Sequence, residues 1–337
     1  LAYFLADRET FPPNLPGYSI QMTNESQLQL HGLLSGLGHV EQLDFLIYTR
    51  GGGVESVWPT VNMLRSHCSR LSVLIPFRAH SAGTLLALGA DEIVMADCAE
   101  LSPIDPTTGN QFNPRDPSNQ ANQFGISVED VMAYFELAKS VAGISEEAHK
   151  ADVLKQLTAS VHPLALGNVQ RVYMLIRRLA KRLLALHLQE SDKALEVMVK
   201  GLTTDFYTHM HSIGRSEAVD LLGAWVTAPT DDVAIALSAL FQAYVEMFEL
   251  RTKFCLPELM GDEPRLDLRV RGGVLESTDA SFVFETRLTV MQRAQLPPQV
   301  QVQVPPGQAI PLEPWAQRAY DFGIRGMGWI SEEAATS

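Results

Sequence analysis

The sequence predicts an α/β fold in which a parallel sheet is flanked by helices, followed by a helical extension and a small C-terminal β segment. Three observations predict it. Short continuous apolar runs alternate with helical patterns through the first third, apolar residues recur at helical spacing through the middle, and the period falls to about two after Arg265. At 337 residues and 46% hydrophobic content the chain can bury a full core.

The elements follow in order. Residues 18–23, YSIQMT, read as a strand, with Asn24 or Ser26 capping the helix behind it. DFLIYT at 44–49 is a buried strand broken by Arg50, Gly51, Gly52 and Gly53. The next helix carries Val61, Met63 and Leu64, with Pro59 in its first turn, where a missing N–H costs nothing. LSVLIPF at 71–77 is a second buried strand, RAHSAG a tight connection, TLLALGA a helix and EIVMA at 92–96 a third strand. Residues 102–125 are rich in Pro, Asn, Gln, Asp and Gly and read as a long surface loop or lid. Helices are expected at 128–141, 169–188 and 231–254, the second with Arg171, Arg177, Arg178, Lys181 and Arg182 on its solvated face. LDLRVRGGVLES and SFVFETRLTV read as hairpin-like strands, with Gly272 and Gly273 dividing the first, and the Pro-rich stretch after them as an extended connector.

Composition narrows the function classes. A net charge of -13 argues against a sequence-independent grip on nucleic acid, which needs surplus Lys and Arg. Cys68, Cys98 and Cys255 are odd in number, widely spaced and outside any CxxC pair, which suggests neither a disulfide framework nor a zinc site and fits a reducing, cytoplasmic compartment. No apolar run reaches 18 residues and no basic leader opens the chain, so membrane association is expected only through a missing segment or a partner. No GxGxxG turn is present, and no cofactor is expected.

The chemistry gathers in two turns, each behind a buried strand and 30 residues apart. Glycines at 51 to 53 let backbone N–H groups face a ligand without Cβ obstruction. The HSAG turn puts Ser81 at a helix start, where a hydroxyl can attack a carbonyl while neighbouring N–H groups hold the oxyanion. The surrounding A-H-S-A-G differs from the G-x-S-x-G elbow of α/β-hydrolases.

TRGGGVESVWPTVNMLR and AHSAGTLLALGADEIVMADCAELSPIDP resemble the core of ClpP-class peptidases in the ClpP/crotonase superfamily. Within that class they are most similar to the serine dehydrogenase proteinases, related to signal peptide peptidase A. Ser102 begins the SPIDP segment where that group carries Gly-Pro-Ile-Asp-Pro, and SIGRSEAVDLLG is a weaker echo of its terminal element. The resemblance implies a ClpP/crotonase-like catalytic domain at 1–230, a helical connector at 231–260 and a β-rich segment with Pro-rich tail at 261–337. It carries Ser81 over as nucleophile, with Gly52, Gly53 and Ala82 as oxyanion-hole donors. It also implies homo-oligomers. The dehydrogenase activity in the group's name would need a nicotinamide or pyridoxal site, and no motif for one is present.

The base is left open among several residues. The ClpP histidine position, about 25 residues past the nucleophile, here holds Ile104 and Asp105. Signal peptide peptidase relatives use a lysine, and Lys139 is the candidate on that analogy, the alternative being an ordinary solvent-facing lysine. His162 serves either as base or as a cap to the basic helix, while His209 and His211 fall near the place of the third ClpP triad member. His80 is expected to point away from Ser81, as a structural or substrate-lining residue. The leading expectation is a serine peptidase acting on peptide or protein substrates. The alternatives are a catalytically impaired ClpP-fold scaffold and a crotonase-like acyl-CoA enzyme.

Overall fold

Apolar residues at both parities of the buried runs require cover on both faces of a sheet. The computed structural model, which describes residues 1–6, 8, 20–104, 107–203, 211–295 and 317–332, meets that requirement. Its main sheet contains β1 (Ala2–Leu5), β2 (Val40–Tyr48), β3 (Cys68–Ile75), β5 (Glu92–Met95), β12 (Val226–Thr227), β13 (Arg265–Glu276), β14 (Ser281–Gln295) and β15 (Gln317–Ser331). A small ladder is built from β4 (Arg78–Ala79), β6 (Glu100–Leu101) and β11 (Ile213–Gly214). The eight strands lie in the order β12-β5-β3-β2-β1-β13-β14-β15. The first five run parallel and the last three antiparallel.

The helices are α1 (Gln27–Leu37), α2 (Val57–Ser66), α3 (Ala82–Ala87), α4 (Val128–Glu136), α5 (Glu147–Ser160), α6 (Pro163–Leu184), α7 (Asp192–Thr203), α8 (Arg215–Leu222), α9 (Asp231–Met247) and α10 (Leu256–Met260). Odd-numbered residues of β2 and β3, among them Phe45, Ile47, Val73 and Ile75, pack against α1, α2, α3, α6, α7 and α8. Even-numbered Leu46 and Tyr48 face α9 on the other side. Phe4 on β1 is fully buried there, stacked between Tyr48 at 4.2 Å and Phe248 at 5.4 Å between ring centroids.

Several local expectations are corrected. Gly272 and Gly273 do not turn the chain but lie inside the continuous strand β13, where a bulge separates Arg271 from Gly273. A Cβ at Gly273 would come within 3.0 Å of the Phe4 carbonyl, so glycine there admits β1 alongside. Residues 102–125 carry short pairings instead of plain loop: β7 (Thr107–Thr108) with β10 (Ile126–Ser127), and β8 (Arg115–Asp116) with β9 (Asn119–Gln123). The 18–23 strand is reduced, among its described residues, to a bridge between Met22 and Gly52, and Thr23 rather than Asn24 or Ser26 supplies the capping side chain. The last predicted helix stops at Met247, just before Glu249 at φ 52. On α6 three of the five basic residues are engaged with other helices, Arg177 with Glu196, Lys181 with Asp192 at 2.5 Å, and Arg182 over the Trp58 ring at 3.5 Å, while Arg171 and Arg178 are exposed as expected.

Two consequences are measurable. Phe4→Ala should cost about 3–5 kcal/mol in chemical unfolding, because the stacked ring cannot be replaced from either side. His187 is half-buried, with Nε2 3.1 Å from the Leu88 carbonyl and its ring edge-on to Trp225, and burial pushes its pKa below the ordinary 6.5. The unfolded chain therefore takes up this proton first on acidification, so the stability contributed by neutral His187 falls as pH drops through 6.5. The urea midpoint should decline between pH 7.5 and 5.5 less steeply in His187→Gln than in the wild type.

Candidate active site

The parallel strands deliver two turns to one sheet end. After β2, buried Thr49 pins the glycine turn: its Oγ1 accepts the Gly51 N–H at 2.9 Å. Gly51 at φ 108 and Gly52 at φ 149 occupy the backbone region that favours glycine. A Cβ at Gly51 would stand 2.8 Å from the Cβ of Ser81, and one at Gly52 would stand 2.4 Å from the Met22 backbone. Both glycines are therefore fixed by close approach as well as by dihedral angle.

The second turn leaves β3 through β4. Thr49 N–H donates to the Arg78 carbonyl at 3.1 Å and His80 N–H to the Thr49 carbonyl at 3.0 Å, tying the two turns edge to edge. Ser81 follows at φ 51, ψ −112, one of only two non-glycine residues with positive φ among those described. That strain is held by its surroundings. Its N–H donates to Ser102 Oγ at 2.8 Å, and Ser102 Oγ donates to the Pro103 carbonyl at 3.1 Å. Thr84 Oγ1 donates to the Ala79 carbonyl at 2.7 Å and accepts the Ser102 N–H at 3.0 Å. Ser102 and Thr84 are buried, so α3, the turn and the 102–104 segment form one hydrogen-bonded block.

Two N–H groups at this junction, those of Gly52 and Ala82, have no acceptor among the described residues. Gly53 differs from the expectation, because its N–H donates to the Met22 carbonyl at 2.8 Å and is spent on the bridge. The junction thus offers one donor from each turn beside a half-buried serine hydroxyl, the donor arrangement an oxyanion requires.

Around it lie several ionisable side chains. His80 Nε2 is 3.0 Å from Glu100 Oε1, off the line of a good hydrogen bond, so the contact is chiefly electrostatic. Burial pushes the His80 pKa down, and the Glu100 charge opposes it. Arg78 lies 3.9 Å from the same carboxylate, which also accepts from Ser212 Oγ. Burial and the Arg78 charge lower the pKa of Arg50, beside the glycine turn. In the β4-β6-β11 ladder, Ala79 pairs with Leu101 and Leu101 with Ile213. Ser81 and His211 each stand two residues beyond a paired residue at the same end of that ladder. His211 Nε2 sits 3.0 Å from both carboxylate oxygens of Glu217.

The remaining candidates scatter. Lys139 is exposed on the π turn Leu137–Val141 after α4, and no contact among the described residues links it to Ser81. His162 is the N-cap of α6: its Nδ1 accepts the Leu164 N–H at 3.2 Å and its ring stacks on Phe112 at 4.7 Å. His209 lies outside the described residues. Sequence reasoning missed Thr49, Thr84, Glu100, Ser102 and Glu217. The one available signal was Ser102 itself, standing where the resembling group carries glycine.

No helix among the described residues is long and apolar enough to cross a membrane. The chain is similar to two uncharacterized proteins of Methanocaldococcus jannaschii. It is 29% identical to MJ0137 over 180 residues, covering 53% of this chain and 51% of that one, and 39% identical to MJ1495 over 67 residues, covering 20% and 23%. It therefore spans about half the length of the first relative and under a quarter of the second. Among solved structures, it is similar to the 1510-N membrane-bound stomatin-specific protease, at 15% identity and a TM-score of 0.39 over 65% of this chain and 80% of that one. A family model described as ClpP-like SDH-type serine proteinase matches residues 33–117. That segment holds both turns, Ser81 and Ser102, and over it the chain is similar to the ClpP-like SDH-type serine proteinases.

Proposed function

We propose that the chain is a serine peptidase in which Ser81 is the nucleophile and the Gly52 and Ala82 N–H groups form the oxyanion hole. The observation that carries the reading is the packing of the glycine turn onto a positive-φ serine, with one unpartnered N–H from each side. Ser81 Oγ attacks the peptide carbonyl carbon, the proton passes to a base, and the carbonyl oxygen takes the negative charge between the two N–H groups. Collapse of the tetrahedral species expels the amine, which takes that proton. Water then repeats the sequence on the acyl-enzyme and releases the acid.

His211 is the base this reading favours, oriented by Glu217 as a histidine is oriented by a carboxylate in a serine triad. A ring that donates Nε2–H to a carboxylate carries its basic lone pair on Nδ1. The ladder register supports the choice, since Lys139 is exposed elsewhere and His162 is spent as a cap. The substrate class is peptide or protein, and the free Cys68, Cys98 and Cys255 fit a reducing compartment such as the cytoplasm. A second reading, a scaffold that keeps the fold without turnover, is favoured by one observation: among the described residues, no hydrogen bond joins a candidate base to Ser81.

A fluorophosphonate probe separates the two. Intact mass should show a single adduct on the wild type and none on Ser81→Ala, and the labelling rate should fall by about 10²–10⁴-fold in His211→Ala. Equal labelling of His211→Ala and wild type would remove His211 as base, and no labelling of folded wild type would favour the scaffold. Ser102→Ala leaves the Ser81 N–H without its acceptor and should cost about 1–3 kcal/mol of stability by urea unfolding, with slower labelling as the turn relaxes.

A further inference from the structure

The antiparallel end of the sheet is built differently from the parallel end. The far edge, β12, is two residues long, whereas the near edge, β15, runs for 15 residues with β14 on one side and no strand on the other among those described. Such an edge presents a row of backbone donors and acceptors, which proteins usually blunt by shortness, lysine, proline or a bulge. β15 is long and contains neither lysine nor proline, and its register shift against β14 falls at Arg325. Its charges are Arg318, Asp321 and Arg325.

The arrangement around Gly323 is self-complementary. A bulge makes Arg325 the extra residue of β15, and its Nε donates to Thr289 Oγ1 at 3.0 Å. Thr289 pairs with Gly323, and Asp321, two residues before it, pairs with Met291 and binds Arg293 at 2.9 Å. Asp321 and Arg325 therefore lie on one face, on opposite sides of Gly323. Phe322 and Ile324 lie on the other, packed with Phe254, Leu256 and Leu288. If two copies of this strand run antiparallel with Gly323 on the axis, Asp321 meets the partner's Arg325 on both sides, and Phe322 meets the partner's Ile324. A shift of one residue to either side loses both ion pairs.

We propose that β15 is a homodimer interface, pairing antiparallel with β15 of a second copy about a two-fold axis at Gly323. The contact is isologous, each patch being its own complement, and it joins two antiparallel arms into one continuous sheet. The pairing is independent of the chemistry at Ser81, which sits beyond the parallel strands.

Sedimentation of the full chain tests it by charge reversal. The wild type should show a concentration-dependent monomer–dimer equilibrium. Asp321→Arg and Arg325→Asp should each raise the dissociation constant at least about tenfold, because both symmetric pairs become repulsive. The double variant should return close to the wild-type value, which a folding defect would not do. As a second measurement, Gly323→Cys in a Cys98→Ser background should form a covalent dimer on mild oxidation, since residues opposed across antiparallel strands are about 4.5–5.5 Å apart at Cα, within disulfide reach. Little but the Thr289 carbonyl at 3.9 Å lies near the new Cβ. A wild type that stays monomeric, an assembly that both single variants leave unchanged, or no cross-link at residue 323 would overturn the interface.

Discussion

The close approach of the glycine turn to Ser81 is the constraint from which the site follows. A methyl group at residue 51 would strike the Ser81 side chain, and one at residue 52 would strike the backbone of Met22. With hydrogen in both places the turn fits between the Met22 segment and the HSAG turn, held by hydrogen bonds on each side. Its consequence is that one N–H from each turn is left without an acceptor among the described residues, while the third candidate donor, Gly53, is consumed in holding the turn against Met22. The same contact supports the positive φ of Ser81, which needs surroundings that over-determine it.

The sheet supplies the rigidity that this contact demands. β2 and β3 are buried on both faces, so neither can shift without opening apolar surface toward the helical layer or toward α9. Thr49, Thr84 and Ser102 then add a buried hydrogen-bonded block in which each hydroxyl has a backbone partner. Buried polar networks of this kind are costly when half-satisfied and specific when complete. Here the hydroxyls brace the glycine turn from Thr49 and join the helix behind the serine to the segment across from it.

Charge is organised around the junction in two carboxylate–imidazole contacts, Glu100 with His80 and Glu217 with His211. They belong to different strands of the small ladder, and Ser212 bonded to Glu100 connects them. The first is more buried, which is why the ring of His80 is held toward its neutral form. The second is more open to solvent and is carried on the helix α8 that follows the ladder. The antiparallel arm is ordered differently: β1 joins it to the parallel half, and its polar face carries cross-strand pairs such as Asp267 with Thr289.

Sequence alone determined the alternation of strands and helices from residue 44 to 96 and the two turns behind the buried strands, because local rules govern these. Buried strands are continuous apolar runs, and a turn with strained dihedrals demands glycine. Tertiary structure decided what depends on distant residues. β1 is too short for its pattern to stand out and exists because β2 and β13 pair on either side of it. Gly53 was lost as a donor to a carbonyl 31 positions earlier. Ser102 stood out only as a serine where the resembling group carries glycine, and Glu217 only as a helix glutamate, until the fold set one against the Ser81 N–H and the other against His211. A hydrogen bond needs its partners within about 3 Å, and for residues far apart in sequence only the packed chain fixes that distance.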